Sequence, residues 1–244
     1  MASAGIGDRV EGIHAVQAAV EAGRVTDVYV LPSMAEREQG LLEVLRGQGG
    51  RVFVRDDLRG VAVTDSHQGI VALARPLQTF ALSDLVEQSD RPALVVLDHL
   101  EDPHNIGAVA RTALAAGLDG LVVPSRRAAP LGAAAFKAAA GAFERLPVSV
   151  VSSIADAVLK LRELGLWTVG LAAGGESSLF GLALLSEPVA LVVGSEGTGL
   201  GRLIARRVDV IAGIPMAAGC ESLNASVAAA LGMYEIMRTR SRPG

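Results

Sequence analysis

LVVGSEGTGL, Leu191–Leu200, and GIPMAAGCESLNASVAAALGMYE, Gly213–Glu235, decide how the rest of this sequence is read. The first is a buried strand that stops at a glycine-rich loop. The second is a short strand ending at Pro215, then a loop that feeds a helix built of small side chains. Two such loops close in sequence point to one ligand site made from both. A third stretch upstream, Asp98–Gly117, reads as their partner.

The loop GSEGTGL, Gly194–Leu200, can offer backbone N–H groups to a ligand, but it lacks the Lys before Ser or Thr that a P-loop requires. Nor does it have the G-x-G-x-x-G spacing of a dinucleotide fold. Glu196 among the glycines would repel phosphate, and suits a hydroxyl, an amine or a cation better. Alone, the loop reads equally as a tight strand-to-helix turn. In DPHNIGAVAR the polar outliers are Asn105, placed as a helix N-cap, and Arg111. Arg111 follows His104 by seven residues and returns to the same helix face. A capping Asn and a snorkelling Arg would explain this pair without chemistry. Ser222 and Asn224 open the last helix, where capping accounts for one of them. Cys220 reads as a buried small residue rather than a nucleophile, because no acid–base trio surrounds it.

Half of the 244 residues are apolar, enough for a full core and for two domains. Aromatics are only 3%, which favours tightly packed α/β layers over a base-stacking surface. The net charge of −4 excludes a protein coated in basic surface but leaves room for a local patch. Arg126-Arg127, Arg202 with Arg206-Arg207, and Arg238-Arg240-Arg242 are such clusters, and each also reads as a solvated helix end or loop. A single cysteine excludes an intramolecular disulfide and a multi-cysteine zinc cage. With no secretory signal and no apolar run of ~18 residues, a soluble, cytoplasmic protein without membrane association is expected.

In chain order, the segment from Val10 reads as a helix with Ile13, Val16, Ala19 and Val20 on one face, ended by Gly23, and Asp27–Leu31 as a strand. Pro32 and Ser33 open a second helix, with Leu41, Leu42 and Leu45 inward and Gly49-Gly50 at its end. RVFV is a strand, a helical piece follows Asp56, and IVALA is a third strand, which completes a small α/β domain over 1–75. A polar linker, 76–90, carries one helix at Leu82–Gln88. From 91 to 244 strand, loop and helix repeat, and the near-continuous apolar run PALVVLDHL fits a parallel sheet covered on both faces.

NIGAVARTALAAG, VVGSEGTGL and IPM with ESLNASVAAAL, in this order and spacing, resemble the three motifs of the SpoU/TrmH group of RNA ribose 2′-O-methyltransferases, of the SPOUT class. This resemblance runs from Ala93 to the C-terminus. GIHAVQAAVEAG and SHQGIVA resemble the small domain, similar to ribosomal protein L30e, that precedes the catalytic domain in members methylating large-subunit rRNA. The resemblance implies an α/β SPOUT domain whose parallel sheet carries a deep trefoil knot, an exception to the near-absence of knots, behind an N-terminal L30e-like RNA-binding domain. The knot loops would hold S-adenosyl-L-methionine against Leu171, Ala172, Gly194, Glu196, Gly197, Ile214, Met216 and Leu223. Ala225–Gly232 would be the threaded, closely packed helix. A homodimer would complete the site, with Asn105, Arg111, Glu196, Ser222 and Asn224 as the functional polar residues.

The reaction so implied is in-line attack of a ribose 2′-hydroxyl on a sulfonium methyl. Arg111, always protonated, suits stabilising oxyanion charge or gripping a phosphate better than acting as a base. Ala139 and Ser153 depart from the family pattern, where Ser or Cys and Asn are common. The leading expectation is a methyltransferase acting on a guanosine of 23S rRNA. The alternatives are a tRNA or resistance-type adenosine enzyme, and a non-catalytic RNA-binding or ribosome assembly factor. A phosphate-binding nucleotide enzyme is disfavoured by the missing P-loop Lys.

Overall fold

Period-two alternation puts Val28 and Val30 of the first unit on one buried sheet face. The computed structural model describes residues 6–126, 131–195, 197–218, 220 and 222–241. It opens with β1 (Arg9–Glu11), α1 (Ile13–Glu21), β2 (Val25–Val30), α2 (Pro32–Arg37), α3 (Gln39–Gly47), β3 (Arg51–Val54) and β4 (Ile70–Ala74). The strands form a sheet of order β1-β4-β2-β3, in which only β2 and β3 are parallel. Val10, Ala72 and Val28 share one row of that sheet and are fully buried, with α1 packed on β1, β2 and β4. On the other face the buried Glu11 carboxylate accepts hydrogen bonds from the N–H groups of Val63 (2.5 Å) and Thr64 (3.1 Å). That contact pins the long β3–β4 loop.

Three sequence expectations fail here. Val10 belongs to a strand, because it pairs with Ala72 rather than joining α1. The single helix expected from Pro32 breaks at Glu38, whose φ of −106° and ψ of 31° leave the helical region. The helical piece after Asp56 is a turn closed by Ala62 N–H on Leu58 O at 2.9 Å.

The chain continues through α4 (Leu82–Val86), β5 (Ala93–Leu97), α5 (Pro103–Ala115), β6 (Gly120–Pro124), α6 (Ala133–Ala139), β7 (Val148–Val151) and α7 (Ile154–Glu163). It then runs through β8 (Trp167–Leu171), β9 (Ser177–Ser178), β10 (Val189–Val193), α8 (Arg202–Ala205), β11 (Val210–Gly213) and α9 (Ala225–Arg240). Two compact units result: Met1–Gln78 with Pro130–Arg145, and Thr79–Ala129 with Leu146–Gly244. The helix α6, which the sequence reading kept with the second domain, packs on β1 and α1 of the first unit. There Phe136 and Phe143 are buried with ring centroids 4.8 Å apart.

The second unit is a seven-stranded sheet of order β7-β6-β5-β10-β8-β11-β9, parallel throughout. Every residue of β5 and β10 is buried, as expected of central strands covered on both faces. On one face Leu94, Val96, Ala190 and Val192 meet Val158 and Leu161 of α7. The odd residues turn the other way, toward α9, which packs on β5, β8 and β10 and beside α5. Gly232 makes that approach possible, since a Cβ there would lie 2.6 Å from Leu191 Cδ2. The short β9 and α8 were not anticipated from the sequence.

Candidate functional site

A parallel sheet brings the carboxyl ends of its strands to one edge, and open α/β sheets bind ligands there, where the strand order reverses. Here β10 inserts between β5 and β8, so the loops after β10, β8 and β11 meet. They enclose a cavity of about 460 Å³, within the usual size range of small-molecule sites.

The β10 loop is a tight hairpin. Ser195 and Gly199 exchange backbone hydrogen bonds of 3.1 and 3.0 Å, and Ser195 Oγ lies 2.6 Å from Thr198 Oγ1. Gly197 and Gly199 turn the chain with φ of 85° and 65°, a region that costs glycine little. Gly194 is needed for another reason, since a Cβ there would sit 2.2 Å from the Gly199 carbonyl carbon. Beneath this loop the buried Asp98 carboxylate accepts the Gly201 N–H at 2.9 Å and is joined on its other oxygen by His99 Nδ1. Asp98 escaped the sequence reading. Its signal was a lone carboxylate closing the apolar run LVVLD.

Of the expected cofactor contacts, Leu171, Ala172, Gly194, Gly197, Ile214, Met216 and Leu223 line this cavity, and so does Ser222. Glu196 lies outside the described residues. Leu200, Ile211 and Thr198 also line it. They were missed because nothing but neighbourhood marks them. The walls combine apolar side chains and loop backbone with the hydroxyl-bearing Ser195, Thr198 and Ser222, a lining that can take a nucleoside while main-chain and hydroxyl groups supply the polar contacts.

Asn105 and Asn224 are brought together from opposite ends of the domain: Asn224 Nδ2 donates to Asn105 Oδ1 at 3.3 Å. Asn224 is the N-cap of α9, its Oδ1 accepting from Ser226 N (2.9 Å), Val227 N (3.4 Å) and Ser226 Oγ (2.6 Å). Asn105 does not cap α5, contrary to expectation. Asp102 does, accepting from His104 N at 2.8 Å, because Pro103 occupies the first helical position and has no N–H to satisfy. Asn105 is thereby left inside the first turn with its side chain turned to Asn224. Arg111 stands further along α5, on the exposed face it shares with His104, and is not among the cavity-lining residues. Cys220 is exposed rather than buried, being part of the loop between β11 and α9.

Three arginines of these clusters, Arg207, Arg238 and Arg240, are held by partners within the fold. Arg238 donates to the buried Glu235 carboxylate, which also accepts the Gly181 N–H at 2.8 Å. Arg240 donates to the carbonyls of Arg91 (2.6 Å), Glu187 (2.7 Å), Pro92 and Leu185, and its desolvation there lowers its pKa. Arg207 pairs with Asp156 at 2.7 Å.

Comparison with known proteins finds a match for each of the two regions of the sequence. The SpoU rRNA methylase family model matches residues 92–234, and the model for RNA 2′-O ribose methyltransferase substrate binding matches residues 9–80. A 23S rRNA (guanosine-2′-O-)-methyltransferase of Ralstonia nicotianae is 37% identical over 94% of this chain and 95% of its own length. An uncharacterized tRNA/rRNA methyltransferase of Synechocystis is 39% identical over 96% of this chain, which spans 63% of that relative. The crystal structure of the SpoU methyltransferase AviRb from Streptomyces viridochromogenes in complex with AdoMet superposes with a TM-score of 0.79 at 26% identity, over 95% of this chain and 90% of that one. With the family model matching residues 92–234 and a relative aligned over nearly the whole chain, the chain belongs to the SpoU rRNA methylase family.

Proposed function

We propose that this protein methylates the ribose 2′-hydroxyl of a guanosine in 23S rRNA, with S-adenosyl-L-methionine as methyl donor. The observation that carries the reading is coverage: the Ralstonia relative so named aligns over 94% of this chain, the N-terminal unit included. The donor supplies an electrophilic methyl group, and the strand-end cavity with its loop backbone is where Leu171, Ala172, Gly194, Glu196, Gly197, Ile214, Met216 and Leu223 hold it. Asn105, Arg111, Glu196, Ser222 and Asn224 position the ribose and its phosphate. The Asn224–Asn105 contact ties the N-terminal ends of α5 and α9 together, and both helix dipoles there favour negative charge on the attacking oxygen. Arg111, permanently protonated, grips a phosphate or stabilises the developing oxyanion.

The domain limits that accompany this reading are 1–75 for an L30e-like RNA-binding domain, 76–90 for a linker, and 91–244 for a SPOUT domain with a trefoil knot, residues 130–145 excepted because they pack with the first unit. Close backbone crossing supports the knot: a Cβ on Gly175 would lie 2.6 Å from both Ala212 C and Gly213 N. A homodimer is supported by Val227, Tyr234 and Met237, exposed apolar residues along α9. Among the described residues no helix is long and apolar enough to cross a membrane, and action on rRNA supports a cytoplasmic location.

The test is transfer of labelled methyl from S-adenosylmethionine to unmodified 23S rRNA, with the product nucleotide mapped by mass spectrometry. A 2′-O-methylguanosine is expected, and Arg111→Ala should lower kcat at least a hundredfold. Absence of any 2′-O-methyl nucleotide would sink the proposal, and a methylated adenosine would move it to the resistance-type alternative.

A further inference from the structure

The β2–β3 register gathers Arg51, Tyr29 and Phe53 beside the buried Asp27 at one edge of the first unit's sheet. Asp27 faces Arg51 and Tyr29 faces Phe53 across the parallel β2–β3 pair. Arg55 extends the ladder, its N–H donating to Val30 O at 2.9 Å. The Tyr29 and Phe53 rings are stacked, with centroids 5.0 Å apart and planes 17° apart. The Arg51 guanidinium lies 5.7 Å from the Phe53 ring centroid, and that of Arg55 lies 5.8 Å from the Tyr29 centroid. β3 is an edge strand, both arginines are exposed, and neither ring is buried. A chain with one Trp, two Tyr and five Phe has placed two of these rings together at a surface. Core packing does not require it.

We propose that this face binds a single-stranded segment of the RNA substrate, the Tyr29–Phe53 stack receiving one or two bases while Arg51 and Arg55 meet the adjoining phosphates. The inference deepens the reading of the first unit as RNA-binding and rests on it. Every base has a π-face, so an aromatic platform binds unpaired nucleotides with little dependence on sequence. A paired base is stacked within its helix and cannot reach the rings. Guanidinium groups both stack and bind phosphate in a fork. Arg51 is already oriented by Asp27, Nε to Oδ1 at 2.6 Å. A base entering over Tyr29 takes the ring face that Arg55 now covers, and releases that guanidinium to the phosphate beside it.

The experiment uses the full chain and a short fluorescein-labelled single-stranded RNA, titrated by anisotropy at several salt concentrations. The paired variant Tyr29→Leu/Phe53→Leu keeps apolar bulk and removes the π-faces. It should weaken binding by about tenfold or more, as base–aromatic stacking implies, and leave the salt slope unchanged. Arg55→Ala should weaken binding and reduce the slope by about one, whereas Arg46→Ala on α3 should change affinity by less than twofold. If the leucine variant is poorly folded, Phe53→Trp, which keeps an aromatic face, serves in its place and should bind like wild type. Photocrosslinking of 4-thiouridine RNA to the wild-type chain needs no variant, and the crosslink should map to the peptides holding Tyr29 and Phe53. Wild-type affinity in the folded leucine variant, or tighter binding of a fully paired duplex, overturns the proposal. Failure of the methyl-transfer reading is separate: it shows as absent methylation while binding and crosslink persist.

Discussion

Gly194 is the residue at which the site tolerates least. A methyl group there would meet Gly199 and Leu200 backbone at 2.2–2.4 Å, and backbone cannot swing aside as a side chain can. Gly194→Ala should therefore reshape the hairpin. We expect at least a tenfold loss of S-adenosylmethionine affinity by calorimetry, with overpacking costing about 1–3 kcal/mol of stability. Unchanged affinity would mean that the hairpin does not form the cofactor wall. Asp27 offers a residue-scale test of another kind. The hydrogen bond from Arg51 is the main force holding its carboxyl below the usual carboxylate range, with Thr26 assisting and burial opposing. The stability this pair adds is complete above the unfolded pKa of about 3.9 and is lost as pH falls through the lowered folded value. The difference in urea midpoint between wild type and Asp27→Asn should then be full at pH 6 and shrink on acidification below pH 4. A constant difference would assign the effect to something other than ionisation.

At the scale of elements, α9 shows what close packing demands. Gly232 meets Leu191 on β10, so Gly232→Val should lower the melting temperature by several degrees, through about 1–3 kcal/mol of overpacking. Differential scanning calorimetry checks it, and Leu191→Ala in the same chain should restore part of the loss. The small residues of α9 were legible in the sequence as a close-packed helix, and the strands β5 and β10 as buried runs, because burial on both faces leaves an unbroken apolar string. The loops after β8, β10 and β11 were legible as a cofactor pocket only through the motif resemblance. Other features were not legible. The N-cap of α5 moved to Asp102 because Pro103 shifts the helix start, a competition that spacing alone does not rank. β1 was read as helix since its three residues carry no period of their own and become a strand only by pairing with β4. The Tyr29–Phe53 stack depends on β2–β3 register, and low aromatic content argued against such a surface.

For the whole molecule, the division into two units is not a division of the chain into two segments. Pro130–Arg145 belongs with the first unit although it interrupts the second, and it carries the buried Phe136 and Phe143. Deleting residues 1–78 should consequently expose both rings, giving a product that aggregates on gel filtration. The same deletion with residues 130–145 replaced by a short Gly-Ser linker should stay soluble and bind S-adenosylmethionine. Equal behaviour of the two truncations would show that the inserted segment does not depend on the first unit. The parallel sheet has a similar long reach, with Ala93 paired to Val189. On the ribosome, β5 emerges long before β10 exists, and at about 5–20 residues per second the wait is on the order of ten seconds. During that interval a wholly apolar strand has no neighbour on the side that β10 will occupy. Vectorial synthesis thus leaves the nascent second unit with unpaired apolar strand surface until its central strand arrives.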